Sequence, residues 1–428
     1  MTSKFGATEC FVYLVLPGAT SFVTAARFAL EPDRSGEPLG RFVYAKSYLA
    51  RPEAVPIDPV ELKLGTRTYE NRRLKGVFGA LRDASPDYWG RRLIERHSGE
   101  ATLGEIDCLL YSPDDRAGAL GFGLGAEPPA PRRNFNRTLD LERLQAIADR
   151  VIADEESPVG ADAGQVQELL LDGTSMGGAR PKTVVEDDGA LWIAKFNRPD
   201  DEWNSARVEH AMLQLAKHCG IDAALSRVEK VGDRDAVLVR RFDREKTATG
   251  YRRARMLSAL TLLRSGDTYT ERDRWSYVLL VEELRRLSAQ AKLDAPELFR
   301  RMTFNALISN IDDHPRNHAV IALDADWRLS PAYDLTPARQ ISLERRDLAM
   351  ECGDYGRAAQ AGNLLSQCAR FLLERNAAQR IVDDMEQTVK TRWYEVARRA
   401  GVSEQDCARI APSLAYPGFR YETSASPP

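Results

Sequence analysis

Asn310-Ile-Asp-Asp-His-Pro-Arg-Asn-His318 gathers two carboxylates, two amides and two of the chain's five histidines in one short stretch. Before it, Leu298, Phe299, Met302 and Leu307 have helical apolar spacing; after it, Ala319–Leu323 reads as a strand. Pro315 has no N–H to donate and drives His314 toward extended backbone, which predicts a loop. A polar loop held between a packed helix and a packed strand is a common seat of chemistry, with a solvated turn as the plain alternative.

The 428 residues suffice for two or three packed units. An apolar share of 43%, a charged share of 29% and a net charge of −3 describe an ordinary soluble chain with no global pull toward nucleic acid or membrane. The six cysteines (Cys10, Cys108, Cys219, Cys352, Cys368, Cys407) are scattered without a Cys-x-x-Cys, against a disulfide framework or cysteine zinc site and in keeping with a reducing cytoplasm. The apolar run Phe11–Leu16 stops at Pro17-Gly18, too short for a membrane span or signal core.

Working outward, residues 10–50 read as β structure, and Ser85-Pro86 predicts a helix from Ser85 as N-cap to about His97. The proline-dense stretch Ala126–Arg137 reads as a linker, closing an N-terminal β-rich subdomain at 1–130. Next come a glycine-rich loop from Gly173 to Lys182 and a hairpin, Thr183–Val185 and Leu191–Phe196, about the turn at Glu186-Asp-Asp-Gly189. A helix at Arg207–Cys219 and strands at Ser226–Val231 and Ala236–Phe242 complete a segment at 131–245. Helical periodicity dominates 246–416 (Glu271–Ser288, Pro296–Ile308, Gly362–Glu374, Ala377–Arg399, Glu404–Leu414), and 417–428 reads as a disordered tail. Strands followed by helices predict a two-lobed α+β protein.

Gly173, Gly177 and Gly178 would let backbone amides approach an anion, with Lys182 as a point charge. A P-loop NTPase is disfavoured, because three residues separate Gly178 from Lys182. Lys195 lies on the second hairpin strand, and Glu209, at the edge of the next helix's apolar stripe, is its expected ion-pair partner. Asp312 and Asn317 have the five-residue step of a kinase catalytic loop, and Asp334 follows across one hairpin at a strand end suited to Mg2+. Glycine loop, Lys195, Glu209, Asp312, Asn317 and Asp334, in this order, predict phosphoryl transfer. His314 and His318 straddle a proline rather than sharing a helical face, so a histidine bracing the loop is preferred over zinc ligation.

Gly177-Gly-Ala-Arg-Pro-Lys182, Ile193-Ala-Lys195, Val239-Arg-Arg-Phe-Asp-Arg244, Asn310–Asn317 and Leu329-Ser-Pro-Ala-Tyr-Asp-Leu335 together resemble the HipA family of serine/threonine-protein kinase toxins, over about Phe42 to Leu414. The resemblance implies an α+β, protein-kinase-like fold with a β-rich N-terminal part, an ATP-binding lobe and a mostly helical C-terminal lobe. It implies an ATP- and Mg2+-dependent kinase that phosphorylates a host protein, in known cases an aminoacyl-tRNA synthetase, and so stops translation and promotes dormancy or persistence. A helix-turn-helix, HipB-like antitoxin would be its partner and would carry most of the contact with operator DNA.

By matched position, the resemblance gives Asp312 as catalytic base, and Asn317 and Asp334 as metal-binding residues. Gly177, Gly178, Ala179, Arg180, Pro181 and Lys182 match the phosphate loop, Lys195 the phosphate-contacting lysine, and Arg240, Arg241 and Phe242 the adenine-holding segment, largely through backbone groups. His314 and Tyr333 join the expected ATP-binding set. Ser175 matches the autophosphorylated loop serine, although Thr174 lies beside it, and only spacing favours Asp312 over Asp313. A catalytically weak co-repressor and a small-molecule or lipid kinase remain alternatives, since the site reads phosphates and not acceptors.

Overall fold

The structure is a computed structural model that describes residues 7–98, 103–131, 135–153, 180–339 and 342–421. The chain divides into two compact units: Met1–Arg198 with Arg240–Leu257 and Ile321–Asp326, and Pro199–Val239 with Ser258–Val320 and Trp327–Pro428.

The first unit is β-rich. Its five-stranded antiparallel sheet runs in the order Tyr69–Asn71, Pro38–Tyr44, Phe22–Pro32, Glu9–Val15, Leu120–Gly123. Apolar alternation sends Val12, Leu14, Phe28 and Phe42 inward, and Phe42 meets Tyr44 and Tyr69 edge-on at 4.9 and 6.3 Å. Gly40 is required there, because a Cβ would fall 1.8 Å from the Gly76 carbonyl oxygen. The predicted helix after Ser85 instead spans Tyr88–Ser98, and the Asp87 carboxylate accepts from the Gly90 N–H at 2.7 Å. Asp87 rather than Ser85 supplies the capping oxygen, so the helix starts later than Ser85-Pro86 suggests.

The hairpin of the first unit pairs Lys182–Asp187 with Ala190–Phe196. Asp188 and Gly189 have φ of 48° and 71°, the left-handed pair that matches strand twist in a tight turn. Asn136-Arg137, the end of the expected linker, adds a short parallel strand against Val185-Glu186. Val184 and Leu191 pack with Tyr251, whose ring meets Phe135 edge-on at 5.7 Å.

The second unit is mostly helical. Ser205–His218 is capped by Asn204, whose side chain accepts from the Arg207 N–H, and it ends before Gly220 at φ 74°. The hairpin Ser226–Val231 and Arg234–Arg240 follows. The single helix expected over Glu271–Ser288 is two pieces: a 3-10 segment at Tyr269–Arg274, then Tyr277–Leu287 capped by Ser276. Ala291–Leu307 carries Pro296 inside it, and the helix expected over Gly362–Glu374 breaks into Ala361–Ser366 and Cys368–Phe371. Arg375–Arg399 and Glu404–Ile410 follow, and Pro417–Arg420, expected in a disordered tail, is a 3-10 turn whose Phe419 side chain is buried. Among the described residues no helix is long and apolar enough to cross a membrane. All six cysteines are free and buried.

Candidate active site

The second unit holds Asp312, Asn317, Asp334, His314, Tyr333 and Glu209; the first holds Lys182, Lys195 and the Arg240–Phe242 segment. Each set has its own geometry.

The Ala291–Leu307 helix ends at Ile308, and Ser309 turns the chain at φ 53°. The loop then delivers the polar cluster, with His314 extended at φ −89° and ψ 167° and Pro315 opening a 3-10 turn to Asn317, as the proline rules require. The Ala319–Ala322 strand follows. Within the loop, the Asp312 carbonyl accepts from the His314 N–H at 2.8 Å and from Asn317 Nδ2 at 3.4 Å. The five-residue step is thus closed by a backbone contact, and the Asn317 amide oxygen lies outside that bond.

The two adjacent aspartates differ sharply. Asp313 is 1% exposed; it accepts from the Tyr277 hydroxyl and from His318 Nε2, the latter at 2.8 Å. Asn305 Nδ2 donates to the Tyr277 oxygen at 3.1 Å, Asn310 Nδ2 donates to Asn305 Oδ1 at 3.1 Å, and Asn310 also reaches the Asp334 carbonyl at 3.4 Å. Tyr277, Asn305, Asn310 and His318 are all buried, so a buried polar network runs from Asp313 to the backbone of Asp334, with His318 Nδ1 its one atom without a partner among the described residues. Asp312 is exposed, and its Oδ1 accepts from the Tyr269 hydroxyl at 3.0 Å.

Asp334 itself is half-buried at φ 58°, in the left-handed region that Asp tolerates better than bulkier residues. Ala332, just before it, is fixed by a parallel bridge to Ala223, with its N–H on the Asp222 carbonyl at 2.7 Å. The Tyr333 hydroxyl donates to the Arg316 carbonyl at 2.8 Å. Amide and carboxylate oxygens are hard donors of the kind Mg2+ takes, and that ion commonly uses one or two protein groups and completes its shell with phosphate and water. Asn317 and Asp334 fit that pattern. Among the described residues no group of three or more His, Cys, Asp or Glu forms a ready metal cage.

The expected bracing histidine is His318 rather than His314, because His318 is the one that bonds Asp313. His314 meets Trp275 edge-on at 6.3 Å, and its buried Nδ1 has no partner among the described residues. Glu209 is buried on the Ser205–His218 helix at 4% exposure.

In the first unit, Lys182 and Lys195 are directly opposed across the hairpin. Like charges so placed repel. Lys182 is 3% exposed, and its Nζ lies 2.7 Å from Asp87 Oδ2. Lys182 is therefore not the free point charge expected from the sequence; the buried Asp87 pair neutralises it. Lys195 is half-buried. Pro181 accepts through its carbonyl from the Phe196 N–H at 3.1 Å, which fixes Arg180 and Pro181 beside the hairpin end. Gly177, Gly178, Ala179 and Ser175, with Thr174, lie outside the described residues.

The Arg240–Arg244 segment also departs from expectation. Arg240 is exposed and Phe242 half-buried, whereas Arg241 is committed to the fold. Its N–H donates to the Leu191 carbonyl at 2.8 Å, and its guanidinium forks onto Asp243 at 2.9 and 2.8 Å while donating to the Asp115 and Arg116 carbonyls. Its guanidinium is therefore spent inside the fold. Arg244 grips the same Asp243 at 2.7 Å, and the Gly118 N–H donates to it at 2.9 Å. Burial alone would raise the Asp243 carboxyl, but Arg241 and Arg244 hold it well below the usual carboxylate range. The role of Asp243 escaped the sequence reading because the groups that hold this cluster in place, the Asp115 and Arg116 carbonyls that accept from Arg241 and Arg244 and the Gly118 N–H that donates to Asp243, lie far away in the chain.

Two family models match: HipA-like C-terminal domain over residues 174–393, and HipA N-terminal domain over residues 29–123. A Sinorhizobium fredii protein named "Putative kinase Y4mE" is 28% identical over 322 residues, 71% of this chain and 73% of its own length. A solved structure, described as the Shewanella oneidensis MR-1 toxin antitoxin system HipA, HipB and its operator DNA complex, aligns over 94% of both chains at a TM-score of 0.64 and 16% identity. That likeness shows the fold, and the α+β class with a β-rich N-terminal part and a more helical C-terminal part stands as expected. With both of its domains matched and more than half of the sequence under the C-terminal model, the chain belongs to the HipA family of protein kinases.

Proposed function

We propose that the chain is an ATP- and Mg2+-dependent, non-specific serine/threonine protein kinase and the toxin of a toxin–antitoxin pair. The observation that carries this reading is the sorting of the two aspartates. Asp313 is locked in a buried network, whereas its neighbour Asp312 is exposed on a loop closed through Asn317. An exposed carboxylate on a rigid mount is what a general base needs.

Bound ATP supplies the transferable phosphoryl group, and Mg2+ offsets its charge. Asn317 and Asp334 would hold the ion, and Lys195, Arg180 and the amides of Gly177, Gly178 and Ala179 would contact the phosphates. The Arg240–Phe242 backbone and Tyr333 bound the nucleotide, and His314, whose buried Nδ1 lacks a partner among the described residues, is a ready donor or acceptor for it. Asp312 takes the proton of the incoming hydroxyl. Autophosphorylation of Ser175 would place about −1.5 to −2 charges beside the phosphate site and repel ATP. In this reading the nucleotide part is 131–245 and the acceptor part 246–416.

A HipB-like helix-turn-helix antitoxin is the proposed partner, supported by the HipA–HipB–operator DNA description of the structural relative. The proposed substrate is a cytoplasmic host protein of the aminoacyl-tRNA synthetase class, whose loss would inhibit translation and promote dormancy. The test is transfer of radiolabel from [γ-32P]ATP into cell extract, with phosphosites mapped by mass spectrometry. Asp312→Ala should lower transfer by roughly two to four orders of magnitude. Near-normal transfer in that variant, or none in the unaltered protein, sinks the proposal.

A further inference from the structure

Residues 263–275 form a strap along the catalytic-loop candidate, and it is fastened at several points. Arg274 Nε donates to the Leu263 carbonyl at 2.6 Å, Trp275 Nε1 to the Gly266 carbonyl at 3.2 Å, and Ser265 Oγ to the Glu271 carbonyl at 3.1 Å. A Cβ on Gly266 would fall 2.0 Å from Glu271 Oε2, so the Glu271 side chain packs onto bare backbone there. Two contacts tie the strap to the loop: Asp267 pairs with Arg316 at 3.0 Å, and Trp275 packs against His314.

Tyr269 sits on this strap, 54% exposed, and donates its hydroxyl to Asp312 Oδ1 at 3.0 Å. A general base must lie about 2.6–3.2 Å from the oxygen whose proton it takes. The Tyr269 hydroxyl therefore holds the place that an acceptor hydroxyl has to reach. None of the strap's fastenings involves that hydroxyl, so it can leave without loosening the strap. Its ring rests 5.3 Å from Trp275, under Arg272 at 5.5 Å, contacts that do not need the hydroxyl. Both bonded groups are exposed, so the bond is weak enough to exchange.

We propose that Tyr269 is an internal competitor of the acceptor: its hydroxyl rests on Asp312 Oδ1, must be displaced before phosphoryl transfer, and makes the strap one wall of the acceptor entrance. The inference rests on Asp312 being the base. Partial burial, together with the Asp312 carboxylate, pushes the Tyr269 phenol above its ordinary range, so it stays a protonated donor.

Slow ATP hydrolysis tests this without knowledge of the protein substrate, because water is then the acceptor. A water O–P bond forms at the γ-phosphorus, the bond to the β-phosphate bridging oxygen breaks, the proton passes to Asp312, and ADP leaves. Hydrolysis is measured at saturating ATP and Mg2+ for the full chain, Tyr269→Phe and Asp312→Ala. Phenylalanine keeps the ring contacts and deletes only the hydroxyl, so Tyr269→Phe should hydrolyse roughly two- to ten-fold faster, the worth of one such hydrogen bond. A merely structural tyrosine would give an unchanged or slower rate, and either result overturns the proposal. So does phosphotyrosine at position 269 in the unaltered protein, since that residue would then be a substrate. Equal hydrolysis by Asp312→Ala and the unaltered chain is a separate failure, that of the base assignment.

Discussion

Replacing Asp313 with alanine should unfold the second unit far more readily while replacing Asp312 should not, although the two are neighbours of identical chemistry. The Asp313 carboxylate is 1% exposed and accepts from both Tyr277 and His318. Removing it leaves two buried donors with no acceptor. Hydrogen bonds to a charged group are worth about 1.5–3 kcal/mol each, and breaking a buried, bonded carboxylate costs about 3–5 kcal/mol. In a unit of roughly 200 residues, each 1 kcal/mol moves the midpoint by about 2–4 °C, so Asp313→Ala should lower Tm by roughly 6–20 °C. Asp312 has one exposed bond, and its loss should change stability by less than about 1 kcal/mol. The assay pairs thermal melting by near-UV circular dichroism with ATP hydrolysis on the same samples. Asp312→Ala should melt normally and be inactive. An Asp313→Ala protein melting within about 2 °C of the unaltered chain would refute the buried-network account.

Other consequences follow from buried charge. Asp243→Asn should cost about 3–5 kcal/mol in urea unfolding of the first unit, because Arg241 and Arg244 would then face each other without their shared anion; a loss under about 1 kcal/mol would contradict it. Asp58 is fully buried, with Oδ1 capping the Val60 and Glu61 N–H groups and Oδ2 without a partner among the described residues, and burial pushes its carboxyl up to about 6 from 3.8. The folded state then binds more protons than the unfolded chain between those values, so stability falls as pH rises through about 4 to 6 and up to about 3 kcal/mol is lost above that window. Asp58→Asn, which keeps the capping oxygen, should stabilise the protein at pH 8 and leave it nearly unchanged at pH 4, read as urea midpoints; equal effects at both pH values would be inconsistent with the buried carboxylate as the cause. The thiols of Cys10 and Cys219 are pushed up to about 12 by burial, and that of Cys108 to about 11. The native protein should give no fast reaction with a thiol reagent at pH 8, and all six should react in denaturant; rapid native labelling of any of the three would show its site to be open.

By itself the sequence determined the fold class, the loop between a packed helix and a strand, and a turn within Glu186–Gly189, which the structure tightens to Asp188-Gly189, because these follow from short-range rules of periodicity, proline geometry and left-handed turns. It also ordered Lys195, Glu209, Asp312, Asn317 and Asp334, since phosphoryl transfer fixes residue types and local spacings. Helix ends came out less well: Asp87 displaced Ser85 as cap, and Glu271–Arg274, expected to open a helix running to Ser288, belongs to a separate 3-10 segment. Only tertiary structure decided which of Asp312 and Asp313 is buried, which histidine braces the loop, and that Lys182 and Arg241 spend their charges inside the fold. Those outcomes rest on Tyr277, His318, Asp87, Asp243 and backbone carbonyls of Asp115 and Arg116. A charge is committed or free according to what lies around it in space: the Asp87 partner of Lys182 stands 95 residues away along the chain, and the Asp115 carbonyl that holds Arg241 against its near neighbour Asp243 stands 126 away.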